Sequence, residues 1–325
     1  MKTAKWWVSL GLVLAVEVPA RAALFLALEG DVRGGYSDRD GWDGGLESIG
    51  GSIRNVFADR RGDRVILFAQ AEWADDFSEF MLHQAYAEWK GPMGRWNLAA
   101  GRVPLPWGLL TAWSPDRMPY GDPYEWTRTL ASDNGVLWRG TVGMWDYGLA
   151  LTQGYGMEDI HEFPGPGNLT GRLGLTPGVE GNFSLGLSFA TGTVYPTLHG
   201  DDVDEMDHAM EEKDAFEKRT AAALDLTWNV GRGTYRFEGG ARRTEEEWHG
   251  TLFAAADYAL LPKLDVQFAG QIYQHADSHF YGRVYGGVAV PTKWFTIRGG
   301  YEYEDAEEKE HRVVVQIYRL FSCVR

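Results

Sequence analysis

Apolar and polar residues alternate with a period of two through most of the chain. In residues 24–36, Leu28 and Val32 fall on one face, and Glu29 and Arg33 fall on the other. A period of two indicates a β-strand whose two faces meet different surroundings. Because one face carries charges of both signs and the opposite face carries none, we expect water on one side of the sheet and lipid on the other.

About sixteen such segments follow one another from Leu24 to Phe321, an even number, as in single-chain bacterial barrels. Every second connection is a short turn, near residues 61, 92, 143, 178, 231, 261 and 291. The other connections lie near 37–46, 75–80, 103–133, 155–167, 193–218, 244–248, 276–279 and 305–308. The sequence therefore predicts an all-β fold, a transmembrane antiparallel β-barrel of about 16 strands with long extracellular loops and short periplasmic turns. An open sheet edge is not tolerated in hydrocarbon, so the first and last strands should pair.

The longest connections differ from ordinary loops in composition. The one at 103–133 contains five prolines, which remove backbone donors and exclude a regular strand. It also contains Trp107, Trp113 and Trp126, large side chains that argue against disorder. Such a loop must pack against other parts of the chain. We expect it to fold into the barrel interior as an inward-folded constriction loop.

The N-terminal residues have the layout of a secretory signal peptide. Lys2 and Lys5 precede an apolar run, and small residues at 20 and 22 supply a cleavage site. The run is shorter than the roughly 20 residues that a membrane-spanning helix needs, and no later segment approaches that length. We expect residues 1–22 to be a signal peptide and residues 23–325 to form a single barrel domain.

Charge and cysteine content exclude several classes of function. Without residues 1–22 the chain has 28 basic and 45 acidic residues, a formal net charge near −17, and so lacks the basic footprint of a nucleic-acid-binding protein. Cys323 is the only cysteine, which rules out an intrachain disulfide and a cysteine cluster for zinc or iron–sulfur. We expect no cofactor and no metal site.

Charged side chains inside the predicted barrel are the candidate functional residues. At the constriction we expect Arg102, Asp116, Arg117, Asp122, Glu125 and Arg128. Along the inward faces of the strands we expect Arg33, Arg54, Arg139, Arg172, Arg219, Arg236, Arg242 and Arg298. Opposed charges across a narrow passage create a transverse field that favours polar solutes, and rings of charge set ion preference. Alternatively, several of these arginines only neutralise the inward carboxylates Glu29, Glu72, Glu88, Glu238 and Glu302.

Two other polar segments leave alternatives open. The extracellular loop at 193–218 is rich in Asp and Glu, which could bind a divalent cation or could simply be solvated, and the residue spacing of a calcium loop is absent. His275, Asp277 and His279 share one face of an extended segment. They could form part of a metal or hydrolytic site, or a polar loop tip, since no activated nucleophile stands at a recognisable spacing.

Residues 85–90 (AYAEWK) and 101–109 (GRVPLPWGL), with weaker support from 134–136 and 168–172, carry a resemblance to known proteins. The chain resembles bacterial outer-membrane porins, and among them the phosphate-selective porin family and related substrate-specific porins. The resemblance implies a trimeric, sixteen-stranded channel whose third extracellular loop folds inward, and the loop at 103–133 is the third by count.

The sequence departs from that family at two points. A phosphate-selective channel is lined by lysines, but only six lysines follow residue 22, so phosphate selectivity does not carry over. Four residues follow Phe321, whereas such barrels usually end on the aromatic residue. Arg319, on the apolar face near the periplasmic rim, would have to snorkel to reach water.

These features together predict a porin of the bacterial outer membrane, a passive diffusion channel for small hydrophilic solutes or ions with no chemical step. Its outer face would contact outer-membrane lipid and lipopolysaccharide, and the resemblance implies a homotrimer. A different outer-membrane barrel, such as a polysaccharide exporter or a sheath for a partner protein, is the alternative function. A barrel enzyme is the third class, and it would depend on the histidine segment at 275–279.

Overall fold

The computed structural model describes residues 21–60, 62–74, 79–111, 130–156, 165–178, 181–194, 216–244, 247–274, 280–305 and 309–324. Sixteen strands account for most of this part of the chain. They are β1 (Arg21–Ser37), β2 (Gly41–Asp59), β3 (Gly62–Ala74), β4 (Glu79–Lys90), β5 (Asn97–Pro104), β6 (Ser132–Val142), β7 (Trp145–Thr152), β8 (Asn168–Leu175), β9 (Phe183–Val194), β10 (Glu217–Val230), β11 (Gly233–Thr244), β12 (Glu247–Leu261), β13 (Leu264–Gln274), β14 (Phe280–Pro291), β15 (Thr296–Asp305) and β16 (Lys309–Val324). Two short 3₁₀ turns lie at Pro92–Gly94 and Gly108–Thr111.

The strands form one closed barrel in which each strand pairs with its sequence neighbours and β16 pairs with β1. At the seam, Phe25 lies opposite Val324 at one end and Ser37 lies opposite Arg312 at the other. Every pairing is antiparallel. Because the ring of strands is closed, no strand in the sheet has an open edge. The predicted closed antiparallel barrel of about sixteen strands is confirmed. Within the described ranges, no helix is long and apolar enough to cross a membrane.

Alternation along each strand divides the barrel into an apolar outer face and a charged inner face. Leu187 and Leu224, paired across β9 and β10, are 52% and 57% exposed, whereas Asp225 next to Leu224 is 2% exposed. The outward face of β16 carries Val313, Val315 and Ile317, all exposed. An apolar exterior of this kind is stable only against lipid, so the strands are membrane-spanning.

The first connection, between β1 and β2, is shorter than the sequence predicted. The expected loop at 37–46 is a turn at residues 38–40, because β2 already begins at Gly41 and pairs with Ser37. Tyr36 and Trp42 stack edge-to-face beside this turn with ring centroids 5.4 Å apart, which favours continuing the two strands.

Strands β2 and β3 alternate poorly in sequence for two reasons. A register shift after Asp31 places one extra residue, Glu47, in β2, and a bulge of this kind reverses the faces of the residues that follow. In β3, Ile66 is buried and belongs to the inward face, together with Phe68. The inward face of β3 therefore carries apolar side chains at 66 and 68 together with the polar Gln70 and Glu72.

The last strand continues past the aromatic residue that was expected to end it. Ser322 and Cys323 pair with Ala27 and Leu26 of β1, so three residues beyond Phe321 remain in the sheet. Arg319 reaches the turn between β14 and β15, where its Nη1 donates to Lys293 O at 2.9 Å. Its Cζ lies 4.1 Å from the centroid of the Phe321 ring. The guanidinium thus lies against an aromatic ring of the outer face and finds a backbone acceptor at the turn, as a snorkelling side chain near the rim would.

The seam register predicts a specific disulfide. Cys323 lies directly opposite Leu26 on the outer face, and directly opposed Cβ atoms in an antiparallel pair are about 5 Å apart, close to disulfide geometry. Leu26→Cys should therefore form a disulfide with Cys323 under mild oxidation, seen as faster migration of the unfolded chain on a non-reducing gel. Leu28→Cys is the matched control, since it shares the face but lies opposite Phe321. Cross-linking of Leu28→Cys in preference to Leu26→Cys would contradict the register.

Candidate functional site

The segment that follows β5 leaves the wall and enters the interior of the barrel. Leu105 N–H donates to Ala131 O at 3.0 Å, which holds the base of the connection at the β5–β6 edge. Gly108 N–H then donates to Ser188 Oγ of β9 at 2.9 Å. Leu109 N–H donates to Glu238 Oε2 of β11 at 2.8 Å. Following the wall from β5 to β11 would take about 29 Å, whereas four residue steps span at most about 14 Å, so the segment crosses the interior.

Apolar side chains hold the crossing segment on both sides. Trp107 is buried in a cluster with Ala190 of β9 and with Ala221 and Ala223 of β10. Leu109 belongs to a second buried cluster with four residues of β12, β13 and β14: Phe253, Ala255, Ala269 and Tyr285. Pro106 sits over Gly148 of β7, where a Cβ would lie 2.7 Å from the proline ring. Small residues on the inward face therefore make room for the segment.

Position 108 requires glycine, both because of its backbone conformation and because the Glu238 carboxylate leaves no room for a side chain. Its φ is +45°, in the left-handed region, and a Cβ at this position would lie 2.2 Å from Glu238 Oε2. Glu238 itself is 3% exposed. Because a buried carboxylate is costly without donors, the backbone amide of Leu109 and the absence of a side chain at 108 belong to one arrangement.

The central part of the loop lies outside the described residues, which end at 111 and resume at 130. Five of the predicted constriction residues fall in this gap: Asp116, Arg117, Asp122, Glu125 and Arg128. Their place at a constriction stays a prediction. On the far side of the gap, Leu130 is buried in a cluster with Val103, Leu105 and Leu137. Both ends of the loop thus pack together at the inner wall.

Arg102 does not occupy its predicted inward position. It pairs with Ala85 of β4 and Asn134 of β6, on the face that carries Leu98 and Val136, which is the outer face. Its Nη1 donates to Leu82 O at 2.8 Å. The alternation of β5 continues as far as Pro104, and this continuation turns Arg102 outward. The prediction of Arg102 as a constriction residue is therefore corrected.

The eight arginines predicted to line the pore all lie on the inward face by register. Arg172 of β8 pairs with two carboxylates: Nη2 lies 2.7 Å from Asp225 Oδ1, and Nη1 lies 2.8 Å from Asp146 Oδ1. Asp225 belongs to β10, so the pair bridges across β9. Gly186 of β9 makes this possible, since a Cβ there would lie 2.1 Å from Asp225 Oδ2.

A second network joins β15, β16 and β1. Arg298 Nη1 donates to Gln316 Oε1 at 2.8 Å, and Gln316 Nε2 donates to Asp31 Oδ2 at 2.7 Å. Arg33 pairs with the same carboxylate at 2.9 Å and with Glu47 at 2.9 Å. The chain ends are thus tied together by side chains inside the barrel as well as by the backbone seam.

Most of the remaining predicted arginines also have carboxylate partners. Arg219 Nε lies 2.7 Å from Glu217 Oε2, Arg139 pairs with buried Glu88, and Arg236 pairs with Asp257. The alternative that wall arginines neutralise inward carboxylates holds for these residues. Of the five carboxylates named for that role, the predicted arginines neutralise Glu88.

The remaining four inward glutamates contact other groups in the described part of the chain. Tyr318 Oη donates to Glu29 at 2.8 Å, and Glu72 lies 2.8 Å from His83 Nε2. Glu238 accepts from the crossing segment. Glu302 lies 3.2 Å from Arg283 Nε, a residue that the sequence reasoning missed.

Arg283 and Arg312 are wall arginines that the sequence reasoning did not name. Arg283 of β14 lies 2.9 Å from Glu304, and Arg312 of β16 lies 2.9 Å from Glu310. Alternation could have identified both, because Val284 and Val313 next to them face outward. Within the described ranges no group of three or more His, Cys, Asp or Glu side chains could hold a metal ion. The segment 275–279 and most of the acidic loop, residues 195–215, lie outside those ranges.

Comparison with known proteins gives similarity of structure but not of sequence. No protein-family model and no curated protein sequence matches the chain. Salmonella typhi OmpF, solved in complex with daunomycin, has a TM-score of 0.66 at 13% identity, over 92% of this chain and 97% of that chain. The anion-selective porin from Comamonas acidovorans has a TM-score of 0.66 at 12% identity, over 92% of this chain and all of that chain (100%). The trimer form of OmpT from Vibrio cholerae has a TM-score of 0.65 at 12% identity, over 93% and 99%. The chain therefore has the fold of bacterial porins.

The crossing segment should depend on glycine at position 108. Gly108→Ala combines left-handed strain with a clash against Glu238, so the amides of residues 108 and 109 should lose their partners Ser188 and Glu238. Hydrogen exchange of a peptide covering these residues, followed by mass spectrometry, should become about tenfold faster, which corresponds to about 1.4 kcal/mol. Gly143→Ala is the matched control, because its φ of +61° is similar and nothing lies within 4 Å of its Cβ position. Equal exchange of the segment in both variants would contradict the proposed anchoring.

The Arg172–Asp225 pair should show the asymmetry of a buried ion pair. Arg172→Met leaves two carboxylates without their shared cation and should destabilise the folded barrel by about 3 kcal/mol in urea unfolding. The double variant Arg172→Met/Asp225→Asn should be less destabilised than Arg172→Met alone, because the buried Asp225 charge that would be left without a partner is removed. Arg236→Met serves as control, since its partner Asp257 is 29% exposed and can remain solvated. A double variant as unstable as the sum of both single variants would show that the two residues are not coupled.

Proposed function

We propose that the protein is a porin of the bacterial outer membrane, a passive diffusion channel for small hydrophilic solutes or ions. The observation that carries the proposal is the closed sixteen-strand barrel with an apolar exterior and an interior lined by ion pairs. A charged interior is stable when it holds water, and a continuous water column through a membrane conducts solutes. Transport of this kind needs neither a cofactor nor a chemical step.

The crossing segment supports a constriction in this channel. Residues 105–111 occupy part of the cross-section at the level of Ser188 and Glu238, and the loop returns to the same wall cluster at Leu130. We propose that residues 112–129 complete the constriction with Asp116, Arg117, Asp122, Glu125 and Arg128 facing the passage.

A homotrimer and contact with lipopolysaccharide complete the proposal. One of the structurally similar proteins was solved in a trimer form, and the apolar exterior of this barrel is large enough to serve both a subunit contact and lipid. Chemical cross-linking of the folded protein in detergent should give a ladder that ends at three chains.

Conductance in planar lipid bilayers tests the channel directly. Folded protein should give steady, salt-dependent openings, and a trimer should give them in groups of three. Heat-unfolded protein is the control. Absence of conductance from protein whose folded state has been verified by gel migration would rule out a diffusion channel and favour an exporter or a sheath.

Removing the centre of the loop should widen the channel. Deleting residues 111–125 takes away most of the proposed constriction while keeping the anchored residues Leu105 to Leu109, so single-channel conductance should rise. Removing residues 203–212 from the loop at 193–218 is the control deletion, because that segment connects β9 and β10 in sequence and is not part of the proposed constriction, so conductance should stay nearly unchanged. An unchanged conductance after deleting 111–125 would contradict the constriction.

A further inference from the structure

One inward row of residues differs in character from the rest of the wall. Phe25, Arg54, Phe68 and Tyr86 lie opposite one another across β1, β2, β3 and β4. Directly opposed residues of antiparallel strands share a face, so these four side chains stand side by side on the inner wall. We call them the aromatic–arginine row. It places one guanidinium between aromatic rings.

Arg54 is exposed and has no carboxylate partner among the described residues. Its side chain is exposed, and its Cζ lies 5.7 Å from the centroid of the Phe25 ring. By contrast, Arg139, Arg172 and Arg236 each pair with a wall carboxylate. The positive charge of Arg54 is therefore available to a solute in a way that most of the wall charges are not.

The rings beside Arg54 are accessible as well. Phe25 is 36% exposed, and Phe68 and Tyr86 are half-buried. Phe68 and Tyr86 pack with ring centroids 5.3 Å apart. On the far side, Arg139 Cζ lies 6.0 Å from the centroid of the Tyr86 ring, with its charge balanced by Glu88. Tyr86 also packs against the buried cluster of Val103, Leu105 and Leu137, so only part of its ring faces the passage. Covering the remaining apolar surface of these rings with an apolar solute would be favourable.

From this juxtaposition we infer that the aromatic–arginine row is a binding subsite for organic anions with a flat apolar body, the class of aromatic carboxylates. The inference rests on the proposed channel function and names one class of solute for it. The carboxylate of the solute would accept a pair of hydrogen bonds from the Arg54 guanidinium. Its ring would pack on Phe68 and Tyr86 and remove their surface from water.

The chemistry favours this class over the alternatives. A small inorganic anion would satisfy Arg54 but would leave the rings in water. An aromatic cation would match the rings but would be repelled by the guanidinium. Binding at such an open site is weak and reversible, which is what transit through a channel requires.

Benzoate is the probe, and its effect on single-channel current is the measurement. At pH 7 benzoate is ionised, so acetate carries the same charge without the ring and serves as the paired control anion. In the wild-type channel, benzoate should cause concentration-dependent flicker or partial block of a chloride current. Acetate at the same concentration should cause none.

Two substitutions separate the charge from the rings. Arg54→Gln should weaken the apparent benzoate affinity about tenfold, because a charge-assisted bidentate contact is lost. Phe68→Leu keeps an apolar side chain but removes the flat ring, and should weaken affinity about threefold. Neither side chain makes an ion pair in the described part of the chain, so both variants should fold, which gel migration verifies.

Arg236→Gln is the matched control for charge. It removes the same unit of charge from the inward face but leaves Asp257 without its partner. A general effect of pore charge would therefore repel benzoate from Arg236→Gln at least as strongly as from Arg54→Gln. The subsite predicts the opposite order, with Arg54→Gln much the weaker binder.

The outcomes distinguish this inference from the channel itself. Conductance without any difference between benzoate and acetate would overturn the subsite and leave the channel standing. Equal benzoate affinity in Arg54→Gln and Arg236→Gln would overturn it too. Absence of conductance in the folded wild-type protein would instead remove the channel on which the subsite rests.

Discussion

The closed ring of antiparallel backbone pairing is the constraint on which the rest of the structure depends. In hydrocarbon an unpaired backbone amide cannot hydrogen-bond to water. The last strand must therefore pair with the first, so that the sheet has no open edge. The backbone pairing of β1 with β16 meets that requirement. Inside the barrel, hydrogen bonds from Arg298 to Gln316 and from Gln316 to Asp31 reinforce the seam. Once the ring is closed, alternation allows one face for lipid and one face for water. The proposed passage and its constriction belong to the inner face.

The inner face is organised around a segment of chain as much as around the strands. Five residues after β5 carry the backbone to Ser188 and Glu238, and two apolar clusters hold Trp107 and Leu109 at the wall. The carboxylate of Glu238 is buried because a backbone donor is brought to it, and glycine at 108 leaves the space. A polar anchor and an apolar clamp thus fix the base of the loop in the passage.

Charge inside the barrel is largely paired, and the pairing limits what a solute can meet. Arg172 with Asp225 and Arg139 with Glu88 present dipoles to the passage in place of bare charges. Against that background an exposed Arg54, which has no carboxylate partner in the described part of the chain, is expected to have a disproportionate influence beside Phe68 and Tyr86. The distribution of partners, more than the number of charged residues, is expected to determine which solutes are retained. The strongly acidic composition alone would have suggested a passage that retains cations in preference to anions.

Much of the fold could be predicted from the sequence because it depends on local properties. The period of two is set within each strand. The sequence alone therefore predicts the faces of Leu224 and Asp225 and the inward direction of eight arginines. Closure followed from the physics of the bilayer, and the loop after β5 was identified by counting connections. The same rule, applied strictly past Gly101, would have turned Arg102 outward, and applied to β14 and β16 it would have found Arg283 and Arg312.

What alternation cannot supply is which inward residues meet, since that depends on register and on the space left by the strand between them. Arg172 reaches Asp225 only because Gly186 on the intervening strand lacks a side chain. Glu238 receives its donor from a residue 129 positions earlier in the chain. The faces of the strands were thus determined by the sequence itself, through a periodicity that each strand carries locally. The partners inside the barrel were decided only by the tertiary structure, because closure brings distant residues into one cross-section.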